Sequence, residues 1–584
     1  MSKFEAFWIK IITSLLVSFM TIFNLAGTGE VKTETAQING SFSCTDALGR
    51  GVTSADGESE KLVGVFYFLW HSQHGSNRII DISEIIKQNP NAVDSEEAWI
   101  NAGGGNQQEF HFWGKPLLDY YSADDEWVYR KHVQMLTDAD VDFIVIDATN
   151  GFTYSEPAKK LIDVWYEYYL EGWDVPQIAY YTNSGSGSAM NRIYDEIYNN
   201  AELKIRYPKI DELWFCLDGK PMIIGDENDV QLRPEVKNYF RIKANQWPNE
   251  DKKKDGFPWM EFDRLLTYQS VYNNDGTKIM NVSVAQHSDS VCFSKTAWYG
   301  ANDRTRSWHD GENDLSENAL LYGYNFAEQW DFAIKMNPDI IFVTGFNEWV
   351  AQRQSPNENA PVIFVDCATE NCSRDVEPSA GIMGDNYYLQ MVDYITKFKG
   401  SASRVENKNQ VTIDIDGSFS QWENEKITAV YKDYRNDTAG RNAASFGNVY
   451  QLTDTSGRND IVNMKVTEDE ENLYFYVETE ENLTSSTDEN WMNLFINEKF
   501  VVNRISPENG AATVEKITSA GFEEAGQAQI RFEENKLMLK VKKTDVDFNG
   551  KTLFKWADNC VAGDVNSFYT KGDAAPYGRL NFVY

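Results

Sequence analysis

Between residues 62 and 343 short apolar runs of strand length keep recurring, and each stops at polar or aromatic residues. Leu62 to Trp70, Val141 to Ile146, Gln177 to Tyr181, Ile279 to Ala285 and Ile340 to Val343 are the clearest. Runs without polar alternation fit strands buried on both faces, as in a parallel sheet. Helix-like stretches lie between them. Ser122, with Asp125 three residues on, opens one in capping-box fashion. Ser155, Pro157 in the first turn and Gly172 past the end frame a second. Leu320 to Met336 and Asn386 to Lys399 read as two more. Pro116 to Tyr121 reads as a further short strand. Leu213 to Ile224 reads as two apolar runs joined by a turn at Asp218-Gly219-Lys220-Pro221. This alternation implies an α/β chain folded as a (β/α)8 TIM-like barrel with long insertions over about 58–400. A doubly wound sheet is the alternative. No Gly-rich phosphate fingerprint follows the first strand, which counts against it and against a nucleotide ligand.

Past a polar linker at 400–410 the period changes. Val411 to Ile415, Asn472 to Glu478, Trp491 to Ile496 and Lys536 to Val541 read as strands, with turn signals such as Asn549-Gly550 between them. Residues 411–584 are expected to form an all-β sandwich. At the other end, Lys3 and Lys10 precede an apolar run from Ile11 to Ala26. Residues 1–27 therefore read as a signal peptide or an N-terminal membrane anchor, and 28–57 as a flexible lead-in. The chain body is expected to be secreted or held at the cell surface.

The net charge of −35 argues against nucleic acid as a partner, because an acidic surface repels phosphate backbones. Aromatic residues make up 14% of the chain, and a surplus of Trp and Tyr suits a cleft for a neutral glycan. The six Cys show no CxxC pair. Cys367 and Cys372 are close enough for a small disulfide in an oxidising compartment, with free thiols the other reading. His71 and His74 stand at i, i+3 without an acidic ligand at the right local spacing, so neither metal nor cofactor is expected. The absence of a G-x-S-x-G elbow argues against a serine hydrolase.

The chemistry is expected around D-I-I-F-V-T-G-F-N-E-W, residues 339–349. Glu348 lies just past a buried strand, where barrel enzymes keep their chemistry, and can serve as general acid/base on a glycosidic oxygen. Asp147 ends another buried strand and is the favoured second carboxylate. Asp226 and Glu227 end a third. Trp70, His71, His111, Trp113, Asn150, Tyr181, Asn183, Asp226, Glu227, His287, Asn347 and Trp349 are the expected substrate contacts, with Trp349 placed to stack under a sugar ring.

Several pieces in order carry a family likeness: G-V-F-Y-F-L-W-H at 64–71, F-W-G-K-P-L at 112–117, V-D-F-I-V-I-D-A-T-N at 141–150, D-G-K-P at 218–221 and F-N-E-W at 346–349. Together they resemble the glycoside hydrolase family 99 and 71 group, the endo-mannosidase-like and glucanase-like barrels. In family 99 a Glu-Trp pair is followed by a second Glu three places after the first. Glu348-Trp349 matches the pair, but position 351 is Ala. That departure moves the partner role to Asp147 or the 226–227 pair. The segments I-D-G-S-F-S-Q-W at 415–422, G-R-N-D at 457–460, N-L-Y-F-Y-V at 472–477 and W-M-N-L-F-I at 491–496 resemble a family 9 carbohydrate-binding module. That resemblance would make Trp422 and Trp491 sugar platforms, although core packing is the commoner role for such residues.

The expected function is a glycoside hydrolase, endo-acting on a neutral poly- or oligosaccharide. The rival is a non-catalytic glycan-binding surface protein with a degenerate barrel, motivated by the missing acid at 351. Retention or inversion of the anomeric centre is open at this stage, because sequence gives no carboxylate separation.

Overall fold

The computed structural model describes residues 42–54, 59–71, 74–261, 272–273, 276–287, 294–400, 409–486, 488–505 and 510–584. The expected leader at 1–27 lies outside them. No helix among the described residues is long and apolar enough to cross a membrane.

Eight parallel strands form the front of the chain among the described residues: β1 (Leu62–Tyr67), β2 (Phe143–Ala148), β3 (Gln177–Thr182), β4 (Lys220–Gly225), β5 (Arg241–Gln246), β6 (Gly256–Pro258), β7 (Lys278–Ser283) and β8 (Ile340–Thr344). β1 pairs with both β8 and β2, and the sheet runs on through β3, β4 and β5 to β6, while β7 pairs with β8. That is the strand order of a (β/α)8 barrel, nearly closed. The seam lies between β6 and β7. There Asn281 Nδ2 donates to the Trp259 carbonyl (2.9 Å), to the Phe342 carbonyl (2.9 Å) and to Thr344 Oγ1 (2.9 Å), stitching the two edges together. Phe66, Phe143, Tyr181, Met222, Ile224, Phe257 and Phe342 fill the interior. Helices α1 (Glu126–Asp138), α2 (Ser155–Glu171), α3 (Tyr324–Met336) and α4 (Asn386–Lys399) follow β1, β2, β7 and β8 in the chain.

Three local expectations change. Pro116 to Tyr121 is no strand: only single bridges form at its two ends, and Asp119 adopts φ +68°. Proline cannot donate to a ladder, and a left-handed residue turns the chain out of an extended path. α1 is capped by Asp125, which accepts from Trp127 N, rather than by Ser122. α2 starts at Ser155 without a side-chain cap, after Tyr154 at φ +49°, and ends at Gly172 at φ +95°. Cys367 and Cys372 are both free, buried thiols.

The back of the chain departs from the expected sandwich. Eleven of its described strands join into one antiparallel sheet, from Ala429–Lys432 at one edge to Asp573–Ala575 at the other, while Arg441–Ala444 and Gln451–Asp454 pair as a separate two-stranded hairpin. The connection is a single long strand, Gly521–Glu533. Its first half pairs with Ala511–Thr518 and its second half with Lys536–Lys542, with an irregular register at Val514/Glu515. A strand shared in this way carries hydrogen bonding around a bend, so the two faces stay one sheet. Val411 to Ile415 is not a strand, although Ile413 and Ile415 are buried. Trp422 and Trp491 are 2% and 0% exposed. Their indoles bond Met538 Sδ and the Thr484 carbonyl, so both serve the core and offer no face to a sugar.

Front and back pack against each other through buried polar ties. Arg441 bonds Asp125 (2.8 Å), Tyr434 bonds Asp138 (3.0 Å), and Tyr569 bonds Asp385 (2.9 Å). Tyr434 also stacks on Trp173, with ring centroids 3.8 Å apart.

Candidate active site

The stretch after β8 is held from both sides. Phe346 N–H donates to the Phe66 carbonyl (2.8 Å), and the Asn347 amide bonds Phe68 through both its oxygen (2.8 Å) and its nitrogen (3.1 Å). On the other side Gly345 N–H donates to the Arg374 carbonyl (2.7 Å), and Glu377 N–H donates to the Phe346 carbonyl (2.9 Å). Glycine at 345 gives room for the clamp: a Cβ there would lie 3.1 Å from Asp375 Oδ1 and 3.2 Å from the Phe68 ring, so either side chain would have to shift by a few tenths of an ångström. Beneath the loop, Glu377 gathers Trp349 Nε1 (2.5 Å), the Tyr121 hydroxyl (2.7 Å) and His132 Nε2 (3.1 Å), and His132 in turn meets the Tyr67 hydroxyl (2.7 Å).

Glu348 emerges from this clamp into a cavity of about 350 Å3. Aromatic rings form most of the wall: Phe66, Phe68, Trp70, His74, Phe110, Phe152, Trp247 and Trp259. The polar lining comprises Asp147, Thr149, Asn150, Asn183, Ser184, Glu348, Gln352, Asp366 and Arg374. A concave, largely apolar space with a few convergent polar groups is the usual form of a small-molecule or sugar site.

Arg374 organises the charges. Its Nη2 donates to Glu348 Oε2 at 2.8 Å and lies 3.2 Å from Asp366 Oδ1, so those two carboxylate oxygens are no more than about 6 Å apart. Its Nη1 meets His287 Nε2 at 2.9 Å, and its guanidinium lies over the Trp259 ring at 5.1 Å. Asp375 accepts from Glu348 N–H at 2.7 Å. One guanidinium therefore faces three acids in a dry setting. Burial holds the Glu348 carboxyl well above the usual carboxylate range; Arg374 opposes this, and the charges of Asp366 and Asp375 add to it. Asp366 is also raised, chiefly by burial, and Asp375 is pushed up to about 6 by burial. The cluster titrates as a unit and retains a proton where isolated carboxylates would be ionised. Asp147 has no cationic partner among the described residues. Burial pushes it up to about 6, with its bonds from Thr149 opposing and the charge of Asp366 adding.

Of the residues singled out from sequence, Trp70, Asp147, Asn150, Asn183 and Glu348 line the cavity. The others do not. Trp349 is fully buried and stacks on Trp113, with ring centroids 4.3 Å apart. Trp113 Nε1 donates to the Glu348 carbonyl at 2.8 Å, so this pair shapes the loop from behind and cannot underlie a sugar. Asn347 is spent on the clamp. His71 is buried against Tyr121 and His287 behind Arg374; burial lowers the first to about 3 and the second well below the ordinary histidine range. His111 accepts from Gly105 N–H (2.9 Å) and contacts the Glu109 carbonyl (3.1 Å), away from the cavity. Tyr181 closes the barrel floor, accepting from Gln246 N–H (2.8 Å) and donating to the Phe257 carbonyl (2.9 Å). Asp226 and Glu227 are solvent-exposed, with Glu227 paired to Lys237.

Asp366, Arg374 and Asp375 were not anticipated. The one sequence signal was a lone Arg among four acids in residues 366–377. His74 was weighed only as a metal ligand; it stacks on Phe110 with centroids 4.4 Å apart.

Trp349→Phe keeps the stacking ring but removes the donor to Glu377. We expect the variant to lose about 1–3 kcal/mol in urea unfolding, the usual cost of leaving a buried acceptor short of a donor. The cavity-lining residues should keep their positions, because Trp349 lies behind the loop and not in the cavity. A variant with parental stability would remove Trp349 from this supporting role.

No protein-family model matches this chain, and no curated protein matches it. Among solved structures it is similar to a GH99 endo-alpha-mannosidase from Bacteroides thetaiotaomicron, with 13% identity and a TM-score of 0.35, over 58% of this chain and 98% of that one. The same enzyme in complex with bis-tris-propane gives 14% identity and a TM-score of 0.36, over 58% and 97%. Scores this low do not establish a shared fold, and the barrel described above rests on its own strand pairing.

Proposed function

We propose that this chain is a glycoside hydrolase acting on a neutral poly- or oligosaccharide, with Glu348 as the general acid. The carrying observation is the pairing of a buried, proton-holding Glu348 with further carboxylates in one aromatic-walled cavity at the C-terminal ends of the barrel strands. Two carboxylates with separated proton affinities are what glycosidic cleavage needs. Glu348, raised well above the carboxylate range, donates to the leaving oxygen. Asp147, at about 6, is ionised at neutral pH and serves as the base that activates water. The strands behind them, β8 and β2, are separated only by β1, which sets their ends roughly 10 Å apart. A similar spacing of the two carboxyls would leave room for a water and invert the anomeric centre.

A second assignment keeps Glu348 and replaces Asp147 with Asp366. It is favoured by the separation of no more than about 6 Å through Arg374, close to the spacing of retaining enzymes. Proton NMR of the first-formed anomer separates the two. The aromatic wall suits the apolar faces of sugar rings, and the lining offers no array of free cations for an anionic polymer. Placement outside the cytoplasm fits such a substrate and the apolar leader.

Incubating the full chain with a panel of neutral glycans and measuring new reducing ends tests the proposal. Cleavage of internal linkages is expected; tight glycan binding with no release from any polymer would instead support a non-catalytic capture protein. If Asp147 must be ionised, kcat/KM falls about tenfold per pH unit below about 6. An acid limb centred near 4, the ordinary value for Asp, would remove Asp147 from the role of base.

A further inference from the structure

We propose that a hard divalent cation of the calcium type binds between Asp433, Asp437 and Asp573, where the antiparallel sheet meets helix α1. One carboxylate oxygen from each of the three lies within 4.8 Å of the other two. Ligands on opposite sides of a calcium ion are about 5 Å apart, so one ion can touch all three. The side chains are 4%, 1% and 1% exposed.

Each carboxylate is fixed through one oxygen only. Asp573 Oδ2 accepts from Ile461 N–H at 2.6 Å. Asp437 Oδ2 accepts from Gln134 Nε2 at 3.1 Å and lies 3.5 Å from Lys131 Nζ. Asp433 accepts from the Tyr434 N–H. The remaining oxygens, Asp433 Oδ2, Asp437 Oδ1 and Asp573 Oδ1, are buried and have no hydrogen-bond partner among the described residues. Buried carboxylate oxygens are ordinarily satisfied, and a close trio of buried acids that each keep one oxygen without a donor points to a missing positive centre, although Asp437 also meets the Asp460 carboxyl.

The surrounding charge agrees. Asp138 and Asp460 also face the cluster, while Lys131 and Lys555 are the cations that reach it. Two lysines against five aspartates leave the pocket electronegative. The three bare ligands are all oxygens, which selects a hard ion over zinc or iron, with water or further oxygens completing the shell. Asp437 is already tied to Lys131 and Gln134 of α1, so the ion would pin the 433–437 segment, and through it the sheet, to the barrel.

The rival is a cluster that holds protons in place of an ion, and the two are separable. The full chain is dialysed against EDTA, then against about 1 mM calcium chloride at pH 7.5, a concentration suited to extracellular calcium sites. We expect one retained calcium per chain by elemental mass spectrometry and a Tm about 2–5 °C higher than in EDTA. Asp573→Asn, whose amide oxygen can still accept from Ile461, should lose both effects, and Asp433→Asn provides the same reading should the first variant misfold. No bound calcium and equal Tm values would overturn the proposal. So would a Tm of Asp573→Asn above that of the parent in either buffer, because relief of acid–acid repulsion is the signature of a proton-sharing cluster.

Discussion

On the proposed reading, replacing Glu348 with Gln should lower kcat for glycan cleavage by about 10^2–10^4, the range for removing a general acid, and should leave the fold and glycan binding intact. The substitution keeps the size of the side chain, and the amide oxygen can still accept from Arg374 Nη2, which lies 2.8 Å from Glu348 Oε2. Only the transferable proton is lost. Stability should rise with the change. The Glu348 carboxyl sits above its unfolded value, so the folded state prefers it neutral, and its contribution is fully present below the unfolded pKa and lost as pH rises through the folded one. A permanently neutral amide escapes that loss. Urea unfolding at pH 5 and pH 8 should therefore show Glu348→Gln gaining on the parent as pH increases. A variant that retains the parental rate within a few-fold would take Glu348 out of the chemistry.

Arg374→Gln should be the most damaging change to the fold of the site, at about 3–5 kcal/mol, the usual cost of removing one partner of a buried ion pair. It deprives Glu348 and Asp366 of the one cation they share among the described residues and removes a group lying over Trp259. The carboxyls left behind move further above their unfolded values. The penalty is therefore largest at neutral and alkaline pH and shrinks as pH falls through about 4, the ordinary carboxylate value, below which the acids take up protons in both states. Denaturant unfolding across pH 4–8 measures this directly. A pH-independent penalty would mean that Arg374 acts through packing and not through charge.

The barrel was legible where its strands carry Val, Ile and Phe on both faces, as in Phe143–Ala148 and Ile340–Thr344. It was not legible at Arg241–Gln246. That strand buries Lys243, which is neutralised by Asp255, so a charge-bearing run reads as a loop until its partner is seen. Gly256–Pro258 is too short to announce itself. In the back sheet, individual strands were readable, but the sharing of Gly521–Glu533 between two neighbours is a register property with no compositional mark. The placement of Glu348 just past β8 followed from the buried strand before it. Asp366 and Arg374 reach the same cavity only because the 374–377 segment hydrogen-bonds to Gly345 and Phe346, a long-range pairing that no periodicity encodes. Trp349 misled for a different reason. A loop Trp beside an acid suits a sugar platform and a buried scaffold equally well, and only the stacking on Trp113 decides between them.

The double hydrogen-bonded clamp on residues 345–347 has an implication for how such a cleft diversifies. The acid-bearing loop is anchored to the barrel in the absence of any ligand, so on the proposed reading the proton donor would behave as a fixed post. Adaptation to a different ligand would then fall to the exposed rim. Phe152, 48% exposed, and the partly exposed Trp247 are the places where exchange would redraw the outline of the groove while the proton donor stays put.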